Sequence, residues 1–317
     1  MSQDIKPIHS KPLCIIAGGS GLIGQALIQS LHNDYSVICL STKKSQNTVH
    51  WNPEKICQDW CNLNEFTELL TLFNKTELLI NCAGFSVAKG RFNTKHIKKI
   101  RESRVLSTRA LSKLANYTKA PIKHWIQSSA VGYYGHTQDA EKIEGADNGD
   151  TVLAKITKDW EQQCENYQST HPDCHISYLR LGIVLSRNAL AWKKMLLPIK
   201  CGVSGPLGSG KQWWSWIHIN DVCSIVNYII KHNLSGPINC VAPETLKQKD
   251  FNRCIANFVN RPSFLPAPTF ALKLLLGKTA DELLLNSSRI KPLILLDHGF
   301  SFDYPTLRSA LKELITP

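Results

Sequence analysis

The sequence contains no apolar run long enough to cross a lipid bilayer, and its first residues, Met1–Lys11, lack the apolar stretch of a signal peptide. Its eleven cysteines are scattered, and several lie inside apolar runs, as is typical of buried free thiols in a reducing compartment. Cys57 and Cys61 have no second cysteine pair at zinc-ligand spacing, so no metal site is expected. These absences predict a cytoplasmic protein without a membrane partner.

The positive charge of the chain is not interleaved with aromatic residues. The net charge is +12, and lysines and arginines concentrate in the segment Lys89–Arg109. A nucleic-acid surface would need aromatic platforms among these charges, and only Phe92 is present. We interpret the segment as a helix with one buried stripe, including Ile100 and Val105, and one solvated basic face. No nucleic-acid partner is expected.

Apolar strand-like runs alternate with amphipathic helical patterns from about residue 11 to residue 185 of the 317. Strands are predicted at Leu13–Ala17, Val37–Leu40, Leu78–Asn81, His124–Ser129 and Ile176–Leu181, and helices at about 22–32, 94–116 and 151–168. This alternation predicts an α/β fold with a doubly wound parallel sheet. After residue 185 the alternation fails, although a helix near 220–232, a strand at Pro237–Val241 and a final helix at Leu307–Ile315 are still expected.

A glycine-rich turn joins the first predicted strand to the first predicted helix. Gly18, Gly21 and Gly24 have G-x-x-G-x-x-G spacing at this junction. Such glycines allow a tight turn, close approach of the backbone to a phosphate, and packing of the helix on the strand. The turn therefore predicts that a dinucleotide pyrophosphate binds at the helix N-terminus, and the alternative is a purely structural turn.

The residues that follow the second predicted strand indicate which dinucleotide binds. An NAD site would have a carboxylate here, but the sequence reads Ser41-Thr42-Lys43-Lys44. Hydroxyl and ammonium groups suit a 2′-phosphate, so NADP(H) is predicted rather than NAD. The alternative is a solvated loop that happens to be basic.

Two further segments follow predicted strands at their carboxyl ends, where ligands bind in open α/β sheets. The segment Asn81-Cys82-Ala83-Gly84 has small residues, which would let the backbone pass beside a ribose of the cofactor. The alternative is that it is a plain strand-to-loop turn. Ser128–Gly135, with the sequence SSAVGYYG, places hydroxyls where they could polarise a substrate C–O group, or where they could cap a turn.

Together these motifs resemble the extended short-chain dehydrogenase/reductase superfamily, and more narrowly its sugar-nucleotide epimerase-like subfamily of epimerase family proteins. The resemblance runs from about residue 12 to residue 315 and is carried by Gly18–Gly24, Asn81–Gly84, Ile100–Leu111, Ser128–Gly135, Gly205–Asp221, Phe264–Leu276 and Gly299–Pro305. It implies a Rossmann domain binding NADP(H), residues 11–185 and 216–242, and a smaller discontinuous α/β substrate domain, residues 186–215 and 243–317.

The resemblance also implies roles for individual residues. The positions that match the cofactor-binding motifs are Gly18, Ser20, Gly21, Leu22, Ile23, Gly24, Ser41, Thr42, Lys43, Cys82, Ala83, Gly84 and Arg104. The family commonly has an arginine where Thr42 stands, so Lys43 would supply the charge instead. Arg104 would reach toward the cofactor, or it would form a surface ion pair with Glu102 or a neighbouring residue.

The superfamily's catalytic Tyr-x-x-x-Lys pair is absent from this chain. Its tyrosine should fall near residues 152–153, which are Val152 and Leu153, and the lysine positions four residues later are Ile156 and Thr157. A helix turns about 100° per residue, so the neighbouring lysines do not replace it. Tyr133 or Tyr134, which follow the serines, could supply a phenol instead. Ser129 and Tyr133 are the catalytic candidates, and the alternative is that both tyrosines only pack beneath the cofactor.

The glycine- and tryptophan-rich segment 202–216 lies where related enzymes hold the diphosphate of a nucleotide sugar. Gly208, Lys211 and Trp214 are its candidate substrate residues, offering close backbone approach, charge and a flat surface. The alternative is a tight hinge with aromatic packing. The sequence therefore predicts an NADP(H)-dependent oxidoreductase or epimerase with a small-molecule substrate; a non-catalytic NADP(H)-binding sensor and a homodimer are left open.

Overall fold

The computed structural model of the protein describes residues 11–60, 63–88 and 90–315. Residues 1–10 of the N-terminal segment on which the signal-peptide expectation rests lie outside these ranges, as does Cys61 of the cysteine pair. In the described ranges, no helix is both long and apolar enough to cross a membrane. The same ranges hold no group of three metal-ligating side chains.

The structure has strands β1 (Leu13–Ala17), β2 (Ser36–Ser41), β3 (Val49–His50), β4 (Thr76–Asn81), β5 (His124–Ala130), β6 (His175–Leu181), β7 (Ile183–Leu185), β8 (Trp213–Trp214), β9 (Trp216–His218), β10 (Gly236–Cys240) and β11 (Leu246–Lys247). Seven of them form one parallel sheet in the order β10-β6-β5-β4-β1-β2-β3. The predicted doubly wound parallel sheet is confirmed. The strand order reverses between β1 and β4, which is where ligands bind in folds of this type.

The α-helices are α1 (Leu22–Leu31), α2 (Pro53–Gln58), α3 (Thr67–Phe73), α4 (Thr94–Thr118), α5 (Val152–Gln162), α6 (Glu165–Thr170), α7 (Leu190–Lys200), α8 (Ile219–His232), α9 (Gln248–Phe258), α10 (Thr269–Leu276), α11 (Leu293–Asp297) and α12 (Leu307–Ile315). Short 3-10 turns lie at Leu63–Phe66 and Val131–Tyr134, and a π-helical turn lies at Ala280–Leu284.

Two hydrophobic cores cover the two faces of the large sheet. On one face, Ile15 of β1 and Trp125 of β5 pack with residues of α2, α3 and α4. On the other face, Cys14 and Ile16 of β1 pack with α1 and α8. Successive residues of a strand point to opposite faces, so an apolar run such as Leu13–Ala17 supplies both cores.

A third core lies apart from the large sheet. It joins Trp192 of α7, Trp214 of β8, Phe251 of α9 and Leu311 of α12. These residues belong to the two chain segments that the sequence assigns to the smaller domain, and the boundaries of that domain stay a prediction. Helix α8, between the two segments, packs on the large sheet instead.

The helix expected at 151–168 is two helices in the structure. The amide of Gln163 donates to Trp160 O and that of Cys164 donates to Glu161 O, so the chain tightens to a three-residue spacing after α5. The carbonyl of the fully buried Cys164 then accepts the amides of Tyr167 and Gln168, which begins α6. Amphipathic periodicity continues through this break, which is why the sequence does not reveal it.

Candidate functional site

The predicted ligand-binding segments meet at the carboxyl edge of the large sheet. The glycine turn follows β1, Cys82–Gly84 follows β4, and Ser128 and Ser129 lie in the last part of β5. Since β1, β4 and β5 are neighbours in the sheet, these segments lie side by side at the point where the strand order reverses.

The glycine turn has a geometry that larger residues could not adopt. Gly18 has φ of +79°, and a Cβ on it would lie 2.7 Å from the Cys82 carbonyl and the Ala83 amide nitrogen. A Cβ on Gly24 would lie 2.5 Å from the carbonyl oxygen of Gly18. These contacts bring the turn against the end of β4 and bring α1 against the turn.

The N-terminus of α1 is open to an anion. Gly21 is its N-cap residue, with φ −80° and ψ 171°, and no side chain in the described residues caps the helix. No acidic residue lies in the first turn. The amides of Leu22, Ile23 and Gly24 therefore lack intrahelical partners, and together with the helix dipole they favour a phosphate group. Ser20 is exposed beside them.

The end of β2 presents cationic side chains. Ser41 is buried, and its hydroxyl accepts the amide of Lys43 at 3.1 Å. Thr42, Lys43 and Lys44 are exposed. The turn at Ser41 therefore fixes the backbone from which two ammonium groups and the Thr42 hydroxyl extend, and these groups suit a phosphate.

Arg104 on α4 lies against the segment after β4. Its Nη1 donates to Phe85 O at 3.0 Å and to Ile100 O at 3.1 Å. Its Cζ lies 4.9 Å from the Trp160 ring centroid, and burial lowers its pKa to about 10. Glu102 pairs with Lys98 at 3.6 Å, and Arg104 has no carboxylate partner among the described residues. The Arg104 charge is thus held at the site without a protein counter-charge.

The two serines of β5 have different surroundings. The Ser128 hydroxyl donates to Cys82 Sγ at 3.4 Å. Burial raises the pKa of the Cys82 thiol to about 11, so it is neutral at physiological pH. Ser129 points to the opposite face, as successive strand residues do, and its hydroxyl donates to Glu161 Oε1.

A buried ion pair lies under the site. Arg180 of β6 binds both carboxylate oxygens of Glu161 on α5, through Nε at 3.0 Å and Nη2 at 2.9 Å. The two side chains are 5% and 11% exposed. Bidentate geometry of this kind fixes both side chains. Because Ser129 donates to the same carboxylate, the structure places this catalytic candidate in a structural network, and its catalytic role stays a prediction.

Tyr133 and Tyr134 also differ in their burial and hydrogen bonding. Tyr134 is buried; its hydroxyl donates to Asn239 Oδ1 at 2.7 Å and accepts Arg180 Nη1 at 2.9 Å, and burial raises its pKa to about 12. Tyr133 is half-buried, with the Arg180 Cζ 3.5 Å from its ring centroid. Its hydroxyl has no hydrogen-bond partner within the described ranges. Tyr133 is therefore the phenol that a ligand could reach.

The positions of the missing Tyr-x-x-x-Lys pair do face the site. A Cβ on Gly132 would lie 3.6 Å from Leu153 Cβ and 4.0 Å from Thr157 Oγ1. Lys155 and Lys158 are exposed, as the helical geometry predicts. Leu153 belongs to an apolar cluster in which Phe85, Val87, Phe92, Ile100, Ile156 and Leu283 also lie. The acid/base positions are thus apolar or hydroxyl-bearing.

Glu282 is a contributor that the sequence does not reveal. Its carboxylate accepts the amides of Val152 and Leu153 at 3.3 and 3.4 Å, and so caps α5 from the π-helical turn. A carboxylate at a helix N-terminus stabilises the helix. No local pattern links residues 130 positions apart, although the acidic residue in an otherwise apolar segment is a weak signal.

The three candidate substrate residues do not all come together. Gly208, with φ of +59°, donates its amide to Ala267 O at 2.8 Å, and Lys211 lines a cleft of about 430 Å³. Trp214 is buried in the third core against Phe251, with ring centroids 5.5 Å apart. Trp213 lies nearer the cleft, since its Nε1 donates to Asp139, a lining residue, at 2.8 Å. The substrate roles stay predictions.

His218 and Asp221 stabilise the start of α8. The Nδ1 of His218 accepts the amide of Asn220 at 3.3 Å, and its Nε2 lies 2.9 Å from Glu313 Oε2. The Asp221 carboxylate accepts the amides of Asp303 and Tyr304 at 2.8 and 3.1 Å, and burial raises its pKa to about 6. Both residues therefore hold α8 to the C-terminal part of the chain.

Comparison with known families gives two matches. Residues 14–241 match the NAD dependent epimerase/dehydratase family. Residues 267–314 match a domain of unknown function, DUF1731. The first match includes the glycine turn and all seven strands of the large sheet except the first residue of β1.

The chain is also similar to individual proteins along nearly all of its length. It is 32% identical to an epimerase family protein of Mycobacterium leprae, covering 96% of both chains. It is 30% identical to the epimerase family protein YfhF of Bacillus subtilis, covering 95% of this chain and 97% of that one. The crystal structure of human epimerase family protein SDR39U1 with NADPH has a TM-score of 0.80 and 27% identity, covering 95% of this chain and 98% of that one.

Proposed function

Because the chain belongs to the NAD dependent epimerase/dehydratase family, we propose that it binds NADP(H) at the carboxyl edge of the large sheet and acts on a small carbonyl or sugar substrate. The resemblance to epimerase family proteins, predicted from the motifs at Gly18–Gly24 and Ser128–Gly135, is confirmed at the level of the family.

The observation that carries this proposal is the open N-terminus of α1 beside the basic end of β2. The free amides of Leu22–Gly24 suit the pyrophosphate, and the exposed groups of Thr42, Lys43 and Lys44 suit a 2′-phosphate. NADPH in the human SDR39U1 crystal structure supports the same cofactor. Arg104, without a carboxylate partner in the described residues, would be a further cationic contact.

The cofactor preference is tested by replacing the two lysines. We expect Lys43→Ala/Lys44→Ala to weaken NADPH binding about 10- to 100-fold, because charge-assisted hydrogen bonds to the 2′-phosphate are lost. NADH has no such phosphate, so its affinity should stay the same. Fluorescence titration measures both, and Lys99→Ala, an exposed lysine on α4, is the control. NADH binding to the parent protein as tightly as NADPH would contradict the assignment.

The reaction that we propose uses Tyr133 where related enzymes use the Tyr-x-x-x-Lys pair. Bound NADP(H) supplies or accepts a hydride at its nicotinamide. The Tyr133 phenol exchanges a proton with the substrate oxygen. Arg180, stacked at 3.5 Å on the Tyr133 ring, holds the ring in place and presents positive charge to it. Leu153 and Phe85, which lie in one apolar cluster, would exclude water from the reacting atoms.

Tyr133→Phe should therefore lower turnover about 100-fold or more, in line with the loss of a general acid or base. NADPH affinity and the free energy of unfolding should be unchanged. Turnover is measured by NADPH oxidation with a panel of nucleotide sugars and small carbonyl compounds. Tyr134→Phe is the comparison, because it removes a buried hydrogen bond and should act on stability. Full activity of the Tyr133→Phe protein would exclude the proposed role.

The second candidate function is a sensor that binds NADP(H) without turnover. The observation that favours it is the apolar contact of Leu153 with the cluster around Phe92 at the acid/base position. The same substrate panel separates the two functions. If the parent protein binds NADPH but oxidises no cofactor and inverts no substrate, the sensor function is the one supported.

A further inference from the structure

Several large apolar side chains on one part of the molecule are not covered by any of the described residues. This part is formed by α7, α10 and the chain that precedes α10, and we call it the α7–α10 face. Its exposed large side chains are Leu197, Val203, Phe264, Phe270, Leu274 and Leu275. Phe270 and Leu274 are 75% and 82% exposed, the values of free side chains rather than of a surface packed on its own protein.

Backbone hydrogen bonds join the chain segments that carry these residues. Val203 lies just after α7, and its amide donates to the carbonyl oxygen of Pro198 in α7 at 3.0 Å. The amide of Leu265 donates to Ser204 O at 3.0 Å, and the amide of Ala267 donates to Pro206 O at 2.9 Å. The segment after α7 and the segment before α10 therefore lie side by side, and α10 follows directly.

Helix α10 is short and buries none of its own side chains. It is eight residues long, and none of its residues is buried. A helix of that length is unstable in water unless it packs against something. Phe270 and Leu274 are four residues apart, so they form one ridge along the exposed side of α10. The ridge is of the kind that packs into the groove of a second helix.

The size of the face matches one side of a protein interface. Six large apolar side chains with this exposure present on the order of 600–700 Å² of solvent-accessible surface. Monomers rarely expose continuous apolar patches above about 300–600 Å². Each partner of a standard interface contributes about 800 Å². The α7–α10 face has about the area that one copy would supply.

The Phe270–Leu274 ridge has no unpaired charge of its own helix beside it, and the exposed lysines Lys193, Lys194 and Lys200 lie on α7. The chain carries +12 overall, but the lysine on α10, Lys273, is neutralised by Asp281 at 2.9 Å. An apolar surface is complementary to itself, and a two-fold axis brings identical patches together. We propose that the α7–α10 face is the interface with a second copy of this chain, with the Phe270–Leu274 ridges of the two α10 helices in contact.

This interface would adjoin the candidate site. Thr269 and Lys273 of α10 line the cleft that Lys211 also lines. On α7, Lys194 Nζ donates to Ala88 O at 3.0 Å, in the segment that follows Gly84 at the cofactor site. In the proposed dimer, α10 would contribute Thr269 and Lys273 to the cleft and the Phe270–Leu274 ridge to the second copy.

The test is the oligomeric state of the full chain. At about 10 μM, where an interface with a Kd of 1 μM is mostly associated, we expect the parent protein to sediment as a dimer. Phe270→Glu/Leu274→Glu should sediment as a monomer with unchanged NADPH affinity. Its unfolding midpoint should equal that of the parent protein diluted below the dimer Kd, because dissociation removes the stabilisation that the second copy gives. Ile143→Glu, at an exposed apolar residue outside the face, is the matched control and should stay dimeric.

A cross-linking measurement covers the case in which the charged variant fails to fold. Leu274→Cys in a Cys201→Ser background should form an intermolecular disulfide under mild oxidation, and Ile143→Cys in the same background should not. A parent protein that is monomeric at this concentration would overturn the proposal, and so would a dimer that persists in the charged variant. A monomer that binds anionic phosphatidylserine vesicles through Phe270 and Leu274 would identify a membrane surface instead.

Discussion

Gly21→Asp is expected to weaken NADPH binding at least ~100-fold while the protein stays folded. Gly21 has the extended N-cap conformation of α1, in which an aspartate side chain accepts a first-turn amide. The aspartate carboxylate would thus occupy the position at the N-terminus of α1 where the pyrophosphate binds, and its negative charge would repel the pyrophosphate. A Cβ at this residue would lie 3.2 Å from Gly18 O, a contact that a small shift relieves.

Two measurements separate this effect from general damage. The new cap should keep the free energy of urea unfolding within about 1 kcal/mol of the parent value or raise it. Gly145→Asp introduces the same side chain at a glycine whose Cβ would meet nothing within 4 Å, and it should bind NADPH as the parent does. If Gly21→Asp retains the parent affinity, the pyrophosphate does not bind at α1.

The second large effect concerns the buried pair under the site. Arg180→Met should lower the free energy of unfolding by about 3–5 kcal/mol, because it leaves the Glu161 carboxylate buried and unpaired. Adding Glu161→Leu should recover a substantial part of that loss, since no buried charge is then left. Urea unfolding of the two single variants and the double variant gives the coupling between the residues.

The matched control for this cycle is an exposed pair. On the surface of α9, Arg253 Nη2 lies 2.6 Å from Asp250 Oδ1. Exposed ion pairs contribute about 0–1 kcal/mol to the free energy of unfolding. Arg253→Met should therefore change stability little. If Arg180→Met costs no more than Arg253→Met, the buried pair is not a stabilising element of the site.

Local signals predicted much of the fold. The glycine turn located the start of α1 at Leu22, and amphipathic periodicity located α12 at Leu307–Ile315, as the structure has it. Both features depend on neighbouring residues only. Helix α7 was not predicted, because Pro198 and the glycine-rich segment after it mask its pattern.

The candidate site was predicted less completely, because its interactions join distant parts of the chain. The glycine turn and the basic end of β2 could be identified, since each follows a predicted strand. The pairing of Arg180 with Glu161, and the cap that Glu282 gives to α5, depend on how helices lie on the sheet. Trp214 is buried and Trp213 is only half-buried because one face of the two-residue strand β8 packs on the third core. A strand of two residues is too short for its hydrophobic pattern to predict which side chain is buried.

The position of β10 in the sheet leaves one edge of the sheet unpaired while the protein is being synthesised. Strand β6 pairs with β5 on one side and with β10 on the other, and β10 begins only at Gly236. While the ribosome adds the residues between them at ~5–20 per second, β6 is an unpaired sheet edge for several seconds. Free edges of this kind pair readily with other chains. The nascent chain is therefore most prone to aggregate before β10 emerges from the ribosome and pairs with β6.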